Sequence, residues 1–434
     1  MKKLSFIFLF GLLFTFGACE FEQQVDPNNP SLNSVSQNAT RTQLNLLVTG
    51  AEASMRSHLG TYVTASGTIA RELYLFDADP RNTEDLLGKG DAVLDNNTFY
   101  LTGTYNPAYR TIKTCNTLLA AVDNTNSISE EEKNGYRGFA NTVKGYMYGV
   151  ILDYLGQGGI RFDVTNPEAL GPFISEAEGY NAVLGLLDEG SKQLAAASFA
   201  FISSPGFADF NTPETFNQFN QAIAARIATN AGRYGDALSL LEGSFLNLSG
   251  ELSEGPKHVF STDGLDILNP VFRPGGQNGD QIIINPDMIE DLRENDARIN
   301  KFALRDNPTS QDGLNGDYRL AIYTSAISPI DIIRNEELIL IYAEANMQTD
   351  RPDDAITAIN VIRNAYGLGD YTGDMTLSAL TDELLYQRRY SLVGEGRRMF
   401  DLRRYGRLNA EFLPIDREGD DIFQQFPIPL SENQ

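Results

Sequence analysis

AIAARIATNAGRYGDALSLLE, residues 222–242, and LILIYAEANMQTDRPDDAITAIN, residues 338–360, read as one unit written twice. In each, an Ala-rich apolar run stops at a short polar turn. Asp-Ala followed by aliphatics then opens a second run, with Asp236-Ala237 and Asp354-Ala355 in the same place. Small Ala side chains let two antiparallel helices approach closely, so each unit predicts a helix hairpin of the tetratricopeptide-like kind. The copies are degenerate, and two unrelated hairpins remain the alternative.

Outward from these units the apolar spacing stays helical. Leu44, Leu47, Val48, Ala51 and Met55 fall on one face. Ser129 followed by Glu132 is a capping box, and Phe139, Val143, Tyr146, Met147, Val150, Ile151 and Tyr154 form the stripe after it. Tyr180, Val183, Leu184 and Leu187 begin another helix. Thr212-Pro213-Glu214 supplies an N-cap, a Pro at the first helical position and an acid in the first turn, ahead of Phe216, Phe219, Ile223 and Ile227. Two stretches break the rhythm. Residues 246–333 are dense in Gly, Pro, Asn and Asp, and residues 71–110 mix aromatics with polar residues. Long irregular segments on a rigid scaffold are usual places for ligand contacts, so both are expected to form a loop-rich binding face.

The amino terminus reads separately. Lys2 and Lys3 precede an apolar run from Leu4 to Ala18 that is short of the roughly 20 residues a membrane span needs. Small residues Gly17-Ala18 end it and Cys19 follows, the pattern of a cleaved export signal over residues 1–18. The segment resembles a bacterial lipoprotein signal, which implies that Cys19 carries the lipid; Phe16 departs from the usual aliphatic. An ordinary signal peptide containing a Cys is the alternative. Residues 19–40 read as a polar tether and residues 41–434 as the folded body.

Composition narrows the functions. Of 434 residues, 34 are Lys or Arg and 58 are Asp or Glu, a formal charge of −24. Loss of Lys2 and Lys3 with the signal takes −24 to −26, a surface that repels nucleic acid. With Cys19 acylated only Cys115 remains, so neither a disulfide nor a Cys-rich zinc site can form, and His58 and His258 lie too far apart for a zinc-hydrolase motif. No P-loop, Gly-x-Ser-x-Gly or dinucleotide motif occurs. The reading is therefore a non-enzyme with no cofactor and no metal. Asp306, Asp312, Asn315 and Asp317 offer oxygens to Ca²⁺, but without EF-hand spacing.

LLYQRRYSLVGEGRRMFDLRRYGRL, residues 384–408, resembles the signature helix of the SusD/RagB family of nutrient-binding lipoproteins. Arg388, Arg389, Leu392, Glu395-Gly396, Arg398, Asp401-Leu402, Arg404 and Gly406 match that pattern, whereas Gln387, Ser391, Gly394, Met399 and Tyr405 depart from it. Tyr105, Tyr109, Ile112 and Asn116 are similar to a second family segment, with Tyr105 where Trp is usual; Glu337–Ala345 and FPIPLSENQ, residues 426–434, are also similar. The resemblance implies a mainly α fold, a SusD-like superhelix of four tetratricopeptide-like helix pairs backing an irregular face. It also implies an outer-membrane location facing the exterior, an oligosaccharide ligand, and a SusC-like TonB-dependent transporter as partner. Read from the residues alone, the signature helix is structural: its Arg and acidic residues pair while Leu385, Leu392 and Phe400 pack inward.

Sugars offer C–H patches to aromatic faces and hydroxyls to Asp, Asn and Arg. Candidates for such contacts are Tyr74, Phe76, Asp77, Arg81, Tyr100 and Tyr105 from the first irregular segment, with Phe272, Arg273, Asn278 and Tyr318 from the second. The chain has no Trp, the largest stacking face, but Tyr and Phe can substitute. Peptide cargo in the same architecture, a helical protein-binding scaffold, and a glycosidase with a carboxylate pair are the competing readings.

Overall fold

The computed structural model describes residues 37–277 and 279–433. The export signal, Cys19, most of the tether, Asn278 and Gln434 lie outside the described residues. Among those described, twelve α-helices occur: α1 (Arg41–Met55), α2 (Leu59–Ile69), α3 (Phe99–Asp123), α4 (Glu130–Leu155), α5 (Glu176–Ala195), α6 (Pro213–Asn230), α7 (Tyr234–Glu242), α8 (Asp287–Glu290), α9 (Asn335–Gln348), α10 (Pro352–Ala365), α11 (Leu377–Ser391) and α12 (Arg398–Arg404). The strands are β1 (Leu73–Phe76), β2 (Ile160–Arg161), β3 (Phe173–Ile174), β4 (Lys257–His258), β5 (Gln281–Ile284), β6 (Phe302–Gln311), β7 (Leu314–Leu320) and β8 (Ile330–Asp331). None of these helices is long and apolar enough to cross a membrane.

Helix starts fall where the caps place them. Ser129 Oγ accepts the Glu132 N–H at 3.2 Å while Glu132 accepts the Ser129 N–H at 3.0 Å, closing both halves of the box. The stripe from Phe139 to Tyr154 is buried. Thr212 caps α6 with Thr215 as its partner and Pro213 inside the first turn. The helices pack as pairs: α1 on α3, α4 on α5, α6 on α7, α9 on α10. Contacts of α3 with α4, α5 with α6 and α7 with α9 join one pair to the next.

The doubled sequence unit is a doubled structure. Gly232 (φ +70°) and Asp350 (φ +60°) each turn the chain through the left-handed region. Arg233 N–H then donates to the Ala228 carbonyl at 2.8 Å, and Arg351 N–H to the Asn346 carbonyl at 2.9 Å. Ala237 and Ala355, in the same place in each copy, are fully buried. Close approach recurs in α4, where a Cβ at Gly145 would lie 2.5 Å from Leu187 Cδ2 of α5.

Three expectations need correction. Residues 71–110 are not irregular throughout: β1 lies there, and α3 starts at Phe99 and runs on through Pro107. Gly103, Asn106 and Pro107 read as loop residues, but Gly103 abuts Thr61 and Tyr105, Ala108 and Ile112 are buried, so packing overrides local preference. Residues 246–333 hold five strands, of which β5, β6 and β7 join β1 in an antiparallel sheet of order β1-β5-β7-β6. The signature is two helices, not one. It breaks between Ser391 and Arg398, where Gly394 (φ +75°) and Gly396 (φ +69°) turn the chain; a Cβ on Gly396 would meet the Tyr62 ring at 2.8 Å.

Candidate functional site

One end of the sheet gathers loops from distant parts of the chain. Register pairs Phe76 with Gln281, so Asp77 leaves β1 beside Asp280, which enters β5, at the spacing of about 4.8 Å between neighbouring strands. Gln311, the last residue of β6, donates Nε2–H to the Asp77 carbonyl at 2.8 Å. At the hairpin tip Asp312 accepts from both Lys89 and Arg417, and Arg417 also donates to the Thr83 carbonyl at 2.6 Å. With Lys89 and Arg417 on it, the Asp312 carboxylate is already paired.

Arg81 is the most developed feature of this rim. Asp79 caps the short turn at Pro80 and accepts the Arg81 backbone N–H at 3.1 Å. It also takes the guanidinium fork, Nε to Oδ1 at 2.9 Å and Nη2 to Oδ2 at 2.6 Å. The third branch, Nη1, donates to Thr98 Oγ1 at 2.8 Å, and the guanidinium carbon lies 5.0 Å from the Phe99 ring centre. The hydrogen bonds from Arg81 hold the Asp79 carboxyl below its usual range. The result is an exposed, pre-positioned cation between a carboxylate and a half-buried aromatic ring. Donor, acceptor and ring are what a hydroxylated ring with apolar C–H faces needs.

A second polar group stands on the neighbouring loop. Arg273 donates to Asp280 at 2.8 Å and to the Pro270 carbonyl at 2.8 Å, while Phe272, half-buried, is held by Asn269 Oδ1 through its N–H at 3.0 Å. The loop lies over the hairpin: Arg305 reaches the Gln277 carbonyl at 3.4 Å, and a Cβ on Gly275 would sit 3.3 Å from Arg319. Tyr318 of β7 is half-buried and pairs across the ladder with exposed Leu304.

Asp77, Arg81, Phe272, Arg273 and Tyr318 are thus at least partly accessible, and the sheet end brings Asp77 and the Arg273–Asp280 pair together. Four candidates are placed elsewhere. Tyr74 and Phe76 stack at 5.7 Å within a core of Leu87, Ile283 and Leu314, and the Tyr74 hydroxyl donates to Asp416 and accepts from Asn285. Tyr100 is buried, its hydroxyl on Asp85 at 3.0 Å and under the Asp95 N–H at 2.6 Å. Tyr105 is buried with its hydroxyl on Glu432 at 2.8 Å. These rings turn inward because β1 is buried on both faces and because Tyr100 and Tyr105 belong to the buried face of α3. Asp79, Phe99, Asp280 and Gln311 were not singled out from sequence. The Asp-Pro capping step ahead of Arg81 was a signal for Asp79; register across β1 and β5, invisible in sequence, brings in Asp280.

Residues 317–429 match the model of the SusD family. The chain superposes on a SusD superfamily protein from Bacteroides vulgatus (TM-score 0.68, 18% identity, covering 91% of this chain and 96% of that one). The fold is SusD-like. It is also similar to surface glycan-binding protein A from Bacteroides thetaiotaomicron (TM-score 0.71, 15% identity, 91% and 96% covered) and to that protein in complex with laminarihexaose (TM-score 0.69, 14% identity, 91% and 97% covered). No curated protein matches the chain. In this SusD-like body the signature is an internal brace. Arg388 binds Asp401 at 2.7 Å, Arg404 binds Glu344 at 2.8 Å and Asp401 at 3.0 Å, and Leu385, Leu392 and Phe400 are buried. Burial alone would raise the Asp401 carboxyl, but Arg388 and Arg404 hold it below its ordinary value. Tyr109 and Asn116 of the second family segment likewise hold backbone, at the Arg161 carbonyl (2.8 Å) and the Val164 carbonyl (3.4 Å).

Proposed function

We propose that the chain is a lipid-anchored binder on the outer membrane that captures oligosaccharide at the sheet-end rim and delivers it, unmodified, to a SusC-like TonB-dependent transporter. The observation that carries this reading is the Asp79–Arg81–Phe99 arrangement, exposed and held in place by four protein hydrogen bonds to Arg81. Asp77, Arg81, Phe272, Arg273 and Tyr318 make contacts with the ligand, and Asp79 and Phe99 join them. Asn278 is a further candidate contact, whereas the buried rings of Tyr74, Phe76, Tyr100 and Tyr105 serve the core rather than the ligand. Residues 1–18 act as the signal, Cys19 takes the lipid, residues 19–40 form the tether and residues 41–434 form one SusD-like body.

A neutral oligosaccharide is favoured because the Arg81 charge is already satisfied by Asp79, which leaves its outer face for hydroxyls rather than for an anion. The similar Bacteroides thetaiotaomicron protein is itself found with laminarihexaose. Titration calorimetry of the mature chain against soluble oligosaccharides and peptides tests the reading. Saturable heat with at least one oligosaccharide is expected. Binding of peptides alone overturns the cargo, and reproducible cleavage of a bound glycan overturns the absence of catalysis. Co-purification with a barrel from the native membrane, lost on Cys19→Ser, tests anchor and partner together.

A further inference from the structure

A large cleft lies away from that rim. It has a volume of about 810 Å³, within the roughly 300–1,000 Å³ typical of small-molecule sites. The ends of α4, α5 and α6, the α6–α7 turn and α12 form its walls, with Gln424 and Gln425 at one side. Most charges here are already paired. Asp153 is held by Arg397 at 3.2 Å and Asn230 at 3.0 Å, Arg404 by Glu344 at 2.8 Å, and Arg233 by Asp236.

Arg403 and Tyr180 are among the lining groups that are not. Arg403, half-buried, spends one branch on the Asp153 carbonyl at 2.8 Å and the Gln424 carbonyl at 3.5 Å, and has no carboxylate partner among the described residues. Tyr180 is only 7% exposed, yet its hydroxyl has no hydrogen-bond partner among the described residues. That hydroxyl opens into the cleft, where it is free to bond a ligand. The cleft therefore offers a free guanidinium fork suited to a carboxylate, a free phenol, and acceptors for hydroxyl hydrogens at Glu176, Gln157 and Gln425.

We propose that this cleft is a second ligand site, for a sugar acid of the uronate class, with the carboxylate on Arg403 and a ring hydroxyl on Tyr180. The site is independent of the rim. A uronate satisfies the cation and the phenol at once, whereas a neutral sugar leaves the guanidinium without a counter-charge.

The test is titration of the mature chain with sodium D-galacturonate and D-glucuronate, against D-galactose and D-glucose, in wild type, Arg403→Gln and Tyr180→Phe. At least one uronate binds saturably and more tightly than its neutral counterpart. Tyr180→Phe, which keeps the ring and its packing, weakens that binding about three- to tenfold, and Arg403→Gln weakens it more. Thermal melting of both variants reports whether the fold is intact. Absence of uronate binding to wild type overturns the proposal. So does uronate binding that survives both substitutions in a folded protein, or that is lost on Arg81→Ala.

Discussion

At the scale of single residues the unusual feature is the number of charges placed inside. Arg226 grips Glu337 at 2.7 Å, both buried, and adds the Ile332 carbonyl at 2.9 Å. Removing one partner of such a pair strands the other. Arg226→Met is expected to cost about 3–5 kcal/mol in urea unfolding, and a loss under 1 kcal/mol would contradict the pairing. Glu72 is a separate case. Burial pushes its carboxyl up to about 7, against the lowering influence of the Gly394 N–H that it accepts at 3.0 Å. Below pH 4.5 the group is protonated folded or unfolded. Between 4.5 and about 7 only the folded chain keeps the proton, so this group's contribution to stability falls as pH rises through that window, by about 3 kcal/mol in all. Buried His58, lowered to about 4 by desolvation, has the opposite sign and loses stability as pH falls from 6.5. The stability difference between Glu72→Gln and wild type should therefore shift in the variant's favour from pH 4.5 to 7. A pH-independent difference would contradict the burial argument.

At the scale of elements, helices were readable where caps and stripes agreed and misread where local chemistry conflicted with packing. Ser129, Thr212 and the two Asp-Ala units announced their helices because capping and turn geometry are local. Pro107 hid the first half of α3, and Gly394 with Gly396 hid the break in the signature, since both depend on neighbours distant in sequence. The rim was half legible for the same reason: Arg81 and Asp77 could be named from residue type, but which rings faced out was settled by β1 being covered on both sides. Helix contact makes its own prediction. Gly145→Ala sets a methyl against Leu187 where α4 crosses α5, and should destabilise by about 1–3 kcal/mol in thermal or urea melts. The same substitution at Gly185, whose Cβ position is open, should raise stability slightly through helix propensity.

At the scale of the molecule, four helix pairs form a rigid back and the antiparallel sheet carries loops from three distant segments to one end. The rim cation is already neutralised by Asp79, so binding of a neutral sugar there would rest on hydrogen bonds and ring contact and should depend little on salt. The most direct measurement is the affinity of one bound neutral oligosaccharide for wild type, Arg81→Ala and Phe99→Ala, all shown to be folded. Both substitutions should weaken binding by about tenfold or more. Unchanged affinity in both variants would contradict the rim as the site of capture.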